Sequence, residues 1–221
     1  ELAFGRSSLK VTVSLDRNSP RLDFRAECDW QETGAADRDV PQLAFLWPLG
    51  YDAASYKYDV PFGVVERGPL DHDVPGNSFA LGVRKDENGP SVMIVTDNKY
   101  GFRGTDRSLS VSLIRGSFDP DPYPEIGNHH RFSLGVCVCP PSGHRGLIET
   151  ARRFCHPLLA LSGTVHAGTR PLSGSFLELA EGSVAVSAVK MPEDAGGARW
   201  IVRVYETDGK PAAVKLRLFR P

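Results

Sequence analysis

Ten consecutive residues, Arg21-Leu22-Asp23-Phe24-Arg25-Ala26-Glu27-Cys28-Asp29-Trp30, carry an apolar side chain at every even position and a charged one at every odd position. A period of two belongs to a β-strand with one face in a core and the other in water. A helix of 3.6 residues per turn would wind those charges through its own apolar face. Charges of both signs on one face suit an exposed antiparallel sheet surface with cross-strand pairs. Four of the five charged residues read as a solvated face, and Asp29, next to Trp30, could also act as a ligand group at the strand end.

The same alternation recurs in Leu9-Lys10-Val11-Thr12-Val13-Ser14-Leu15, which predicts one buried and one wet face. Further strand-like runs are Gln42 to Trp47, Pro61 to Arg67, Ser78 to Val83, Ser108 to Leu113 and Arg131 to Val138. A Tyr/Asp-rich stretch before Pro61 reads as a turn, as does the cluster Asp86-Glu87-Asn88-Gly89-Pro90. The prolines of Phe118-Asp119-Pro120-Asp121-Pro122-Tyr123-Pro124 give nothing to a ladder, so that segment is expected on the surface. One helix is expected, with Leu147, Ile148, Ala151, Phe154 and Cys155 on its inner stripe and Glu149, Arg152 and Arg153 pointing outward. Pro157 ends it. Four short β runs follow, Phe176 to Leu179, Val184 to Val189, Trp200 to Tyr205 and Val214 to Phe219, with turns at Asp194-Ala195-Gly196-Gly197 and Asp208-Gly209. The expectation is an all-β chain: a large antiparallel sandwich over 1–161, a connector over 162–174 and a small β segment over 175–221.

Composition narrows the function classes. The chain has 221 residues and a formal net charge of -1, so it has no electrostatic footprint for nucleic acid or an anionic membrane surface. No apolar run approaches the ~20 residues that would span a bilayer, and the first residues form no signal peptide. The chain begins at Glu1 without a Met and reaches a strand almost at once, which suggests a piece of something longer. Cys28, Cys137, Cys139 and Cys155 read as reduced core thiols of a cytoplasmic protein. Cys137-Val138-Cys139 has no second pair to complete a zinc ribbon, and His144 and His156 are the only nearby ligands to recruit.

Chemistry-bearing residues concentrate in Val95-Thr96-Asp97-Asn98-Lys99-Tyr100-Gly101-Phe102-Arg103-Gly104. It sits between a continuous apolar run, Val92 to Val95, and the alternating run from Ser108. A loop fixed at both ends by a sheet can present acceptors, a cation and a phenol to a ligand. The alternative is a turn in which Asp97 caps its own backbone, the glycines supply positive φ and Tyr100 packs between the sheets. His129-His130 is the best acid/base candidate by residue type, and a position just before a strand also suits a structural role. No H-E-x-x-H, G-x-S-x-G or phosphate-binding glycine motif occurs.

Several segments together resemble the C-terminal β region of glycoside hydrolase family 38 α-mannosidases. They are Arg21 to Phe24 with Asp29-Trp30, Pro61-Phe62-Gly63-Val64-Val65-Glu66-Arg67, Asp97-Asn98-Lys99-Tyr100-Gly101, Leu113-Ile114-Arg115 leading to Pro120-Asp121-Pro122, His130-Arg131-Phe132, Val186 to Lys190 and Arg203 to Glu206. Phe102 and Arg103 depart from the family's pattern, and the segment after Pro75 lacks its usual Ala-Gln-Arg-Trp. The resemblance implies a galactose-mutarotase-like supersandwich that buttresses an N-terminal catalytic domain of the same protein. That domain would hold the zinc, the aspartate nucleophile and the acid/base of a retaining α-mannosidase, so this chain would carry no catalytic residue, metal or cofactor of its own. Asp97, Lys99 and Tyr100 would lie nearest a mannose-containing glycan, and a second copy of the chain is left open as a partner. Two other classes remain open: a stand-alone carbohydrate-binding module, and a mutarotase-like epimerase in which His130 meets a carboxylate such as Glu66.

Overall fold

In the computed structural model, residues 1–86, 88–119, 128–165, 167–169, 171–194 and 199–219 are described, with backbone only for Asn128. Glu87, most of the proline segment from Pro120, and Ala195 to Gly197 lie outside the described residues. In chain order the elements are β1 (Leu2–Phe4), β2 (Ser7–Leu15), β3 (Arg21–Trp30), β4 (Gln42–Pro48), β5 (Ala53–Val60), β6 (Gly63–Arg67), β7 (Val74–Pro75) and β8 (Phe79–Arg84). They continue with β9 (Ser91–Thr96), β10 (Gly101–Thr105), β11 (Ser108–Arg115), β12 (Asn128–Cys139), α1 (His144–Cys155), β13 (Leu177–Leu179), β14 (Val184–Lys190), β15 (Ile201–Glu206) and β16 (Leu216–Leu218). The fold is an all-β antiparallel sandwich, as the alternation predicts, with one helix among the described residues. An eight-stranded sheet in the order β1-β2-β3-β12-β9-β8-β5-β6 faces a four-stranded sheet in the order β4-β11-β10-β7.

The large sheet has a core on each side, and its central strands show why β9 is a continuous apolar run. Ile94 of β9 joins Ala80, Leu134, Tyr56 and Phe102 in the core between the sheets. Met93 and Val95, of opposite parity, join Phe79, Leu81, Cys137 and Cys139 against Leu147, Ile148 and Ala151 of α1. A strand buried on both faces has no polar parity. In β3 the even residues Ala26, Cys28 and Trp30 are buried while Arg25, Glu27 and Asp29 stay exposed. Glu27 faces Lys10 and Arg131 across its two neighbours, the cross-strand charge pattern anticipated from the sequence.

Three expectations are corrected. The Tyr/Asp-rich stretch is strand β5, with Tyr56 and Tyr58 fully buried on one parity. Residues from Gly101 belong to strand β10, which shortens the loop to Asp97 through Tyr100. In β2 only Leu9 of the apolar parity is buried, whereas Val11, Val13 and Leu15 are 39%, 52% and 65% exposed. The eight strands outnumber the four that face them, and β2 lies near the overhanging edge.

Candidate functional site

The loop between β9 and β10 is held from below by one side chain, Thr96. This buried threonine accepts the backbone N–H of Asn98 at 3.4 Å and of Lys99 at 3.2 Å on Oγ1. Its own N–H donates to the Ser78 carbonyl at 2.9 Å, and its carbonyl accepts the Cys155 thiol at 3.4 Å. Further along, the Tyr100 carbonyl accepts the Gly76 N–H at 2.9 Å, and Gly101 and Phe102 pair with Pro75 and Val74. The turn is therefore capped by the buried Thr96 hydroxyl, with backbone groups and the half-buried Cys155 thiol around it, and Asp97 is not the cap. Gly101 and Gly104 are not among the positive-φ glycines; both sit in regular strand pairs with β11.

The predicted site residues fall out as follows. Asp97 is exposed at the rim, and Tyr100 is 59% exposed, so it does not pack between the sheets. Lys99 is half-buried with its ammonium 5.1 Å from the centroid of the buried Phe132 ring, a cation–π contact. His130 is half-buried two residues before Phe132, on the same parity of β12, and His129 is exposed. Lys99 and β12 are thus brought together. His130 and Glu66 are not: β9, β8 and β5 stand between their strands, and at ~4.8 Å per step that is on the order of 19 Å. Glu66 is engaged with the Ser55 hydroxyl and, at 4.0 Å, with Lys57. The epimerase pairing therefore has no geometry to work with. Asp29 is exposed and accepts the Gln31 side-chain amide at 3.0 Å.

The two departures from the family pattern have structural roles. Phe102 is fully buried, packed 6.5 Å from the Tyr58 ring. Arg103 pairs with Asp73 at 2.8 Å on the outer face of the small sheet, where Asp73 also accepts the Ser112 hydroxyl and, at 3.1 Å, the Gln42 amide. Partial burial opposes the ionised form of Asp73, but these donors together hold its carboxyl below the usual range.

Sequence reasoning missed a second polar cluster beside the loop. The segment that receives Tyr100 through Gly76 continues to Asn77, whose N–H donates to the Asp59 carbonyl at 2.8 Å, and to Ser78, whose hydroxyl donates to the Asp59 carboxylate. Burial raises the Asp59 pKa against the opposing pull of Ser78 and Arg152. Arg152 does not point out to water: its guanidinium donates to the Val186 carbonyl and lies 5.9 Å from the Tyr205 ring. The β5–β6 turn completes the cluster with Phe62, held at φ 62° and 63% exposed, its ring edge-on to Tyr205 at 5.7 Å. The available signal was Pro61 at the first position of a two-residue link, which favours a type II turn and so a positive φ on the residue after it.

Among the described residues, no three His, Cys, Asp or Glu side chains gather as a metal would require. His144, the zinc ligand conceivable from sequence, instead bonds the Thr207 carbonyl at 2.9 Å and faces Asp208 at 3.3 Å. All four cysteines are free thiols; burial pushes Cys137 up to about 12 and Cys139 and Cys155 to about 11. No helix among the described residues is long and apolar enough to cross a membrane.

The chain is similar in sequence to several known proteins. Alpha-mannosidase G of Dictyostelium discoideum is 24% identical over 94% of this chain and 19% of its own length. Human alpha-mannosidase 2C1 is 26% identical over 97% of this chain and 20% of its own, and the mouse protein of the same name is 24% identical over 92% and 19%. The chain therefore spans about a fifth of the length of the curated relatives it matches. Residues 1–123, more than half of the 221, match the family model of the glycosyl hydrolases family 38 C-terminal domain. The chain belongs to that family.

Proposed function

We propose that this chain is the β region of an α-mannosidase, buttressing a catalytic portion of the same polypeptide and lining one wall of its sugar cleft. The observation that carries the reading is the loop Asp97 to Tyr100, which exposes Asp97 and Tyr100 while its backbone is pinned to the Thr96 hydroxyl and to Gly76. Such preorganisation lets a surface group bind without first being ordered. Tyr100 offers a hydroxyl that can donate and accept and an apolar ring face; Lys99, steadied over Phe132, is a donor, and Asp97 an acceptor. These groups suit the hydroxyls of a mannose-containing glycan. In this reading the nucleophile, the acid/base and the zinc belong to the rest of the polypeptide, and this chain supplies orientation.

The test assays the full parent protein and this chain side by side, with zinc, on an aryl α-mannoside. Activity is expected from the parent alone. In the parent, Tyr100→Ala should raise KM about tenfold, equivalent to one hydrogen bond plus a ring contact, with Tyr100→Phe intermediate. Turnover by the isolated chain, or an unaltered KM in Tyr100→Ala, would refute the assignment.

A further inference from the structure

Beside the loop, the Asp59 cluster lines a cleft of about 220 Å³ whose walls come from five separate parts of the chain, Ser187 of β14 among them. The end of β5 gives Asp59 and the turn after it Phe62, the segment before β8 gives Asn77 and Ser78, α1 gives Arg152 and β15 gives Tyr205. We propose that this cleft binds a neutral polyhydroxylated ring, a hexopyranose carried as a free glycoside or as the terminal residue of a glycan.

Three observations carry the proposal. First, the Asp59 carboxylate, which accepts the Ser78 hydroxyl, and the Arg152 guanidinium line one small space, yet no ion pair within 4.0 Å joins them among the described residues. Arg152 is held in place by the Val186 carbonyl and by a long 3.5 Å contact to the Tyr205 hydroxyl, with other N–H groups left to donate. An anion entering the gap meets Asp59, and a cation meets Arg152. A ligand with hydroxyls that both donate and accept satisfies each without either repulsion.

Second, Phe62 is held where a glycine is at ease. A φ of 62° lies in the left-handed region that strains a side-chain-bearing residue, and strain of this kind gathers at binding sites. What it produces is an aromatic ring standing 63% exposed at the cleft mouth, fixed edge-on by Tyr205. A ring face of that kind packs against the C–H face of a pyranose, whereas a buried turn would gain nothing from the residue.

Third, the size suits one ring. Clefts for larger ligands begin at about 300 Å³. The same Gly76-to-Ser78 segment links this cleft to Tyr100, so both exposed aromatics flank one backbone stretch.

The proposal needs no catalytic partner, so its failure is separable from failure of the mannosidase reading. The experiment is an amide NMR titration of this chain with methyl α-D-mannopyranoside, methyl α-D-glucopyranoside and, as an acyclic control, sorbitol. A mannose-terminated trisaccharide in a fourth arm separates the free glycoside from the glycan end. Saturable shifts at Phe62, Asn77, Ser78 and Arg152 with a millimolar Kd for at least one ring are expected. Arg152→Gln and Phe62→Gly should each weaken binding about tenfold or more. Phe62→Gly relieves the backbone strain, so an undiminished melting temperature with lost binding separates recognition from fold. Absence of saturable shifts, shifts centred elsewhere, an equal response to sorbitol, or unaltered affinity in both variants would overturn the proposal.

Discussion

The face of the Tyr56 ring rests directly on Gly104, so that a Cβ at position 104 would fall inside the ring's contact surface. Tyr56 belongs to the large sheet and Gly104 to the small one, and the ring's hydroxyl reaches past it to the Ser108 carbonyl at 3.0 Å. The glycine sets how closely the two layers approach. Gly104→Ala should cost about 3 kcal/mol by overpacking, seen as a lower urea midpoint with an unchanged slope.

Thr96 is the buried side chain on which the loop's backbone order depends. Thr96→Val keeps the shape and removes the acceptor, leaving the Asn98 and Lys99 amides without it. The expected loss is about 1–2 kcal/mol, with faster hydrogen exchange at those two amides and little change in the β9 ladder.

Burial raises the Asp59 pKa above its ordinary 3.8, with Ser78 and Arg152 opposing. Between that value and the raised one, the folded protein holds a proton that the unfolded chain has lost. Stability contributed by this group therefore falls as pH rises through the window, and above it the ionised carboxylate is a net cost. Asp59→Asn should melt at a higher temperature than the parent sequence near neutral pH, with the difference shrinking as pH falls below the window. Melting curves across pH 3 to 8 check the sign.

The four thiols should be inert in the folded protein. Desolvation lifts Cys28 above its ordinary value and Cys137, Cys139 and Cys155 to about 12, 11 and 11, so the nucleophilic thiolate is scarce at pH 8. A thiol-reactive dye should label none rapidly in native protein and all four in denaturant.

Legibility in the sequence followed how local each determinant was. The alternation of β3 and the apolar stripe of Leu147, Ile148 and Ala151 are properties of ten or twelve adjacent residues, and the structure follows both. Strand β5 was hidden because Ser55, Lys57 and Asp59, weak strand formers, fill the parity opposite Tyr56 and Tyr58. Gly104 reads as a flexible turn residue until its neighbour, 48 positions earlier, is known to be a ring. A helical wheel sends Arg152 to solvent; the hairpin that receives it lies more than thirty residues downstream. The loop is legible as a break between two apolar runs but not in its length, since Gly101 onward pairs as β10; the alternative of an Asp97 cap gives way to the hydroxyl one residue earlier, turned inward.

Beyond α1 the chain runs without helix or strand, among the described residues, until β13, and Leu158, Leu159 and Leu161 on that stretch are 99%, 94% and 96% exposed. Extended backbone bearing bare leucines is what a chymotrypsin-like protease binds and cleaves. A single nick there should leave two pieces that still travel together through a sizing column. Arg152 and the Val186 carbonyl, and His144 and the Thr207 carbonyl, tie the helix to the β14–β15 hairpin across the cut. The two fragments, made separately, then form a complementation pair whose reassembly reports on the joint that walls the Asp59 cleft.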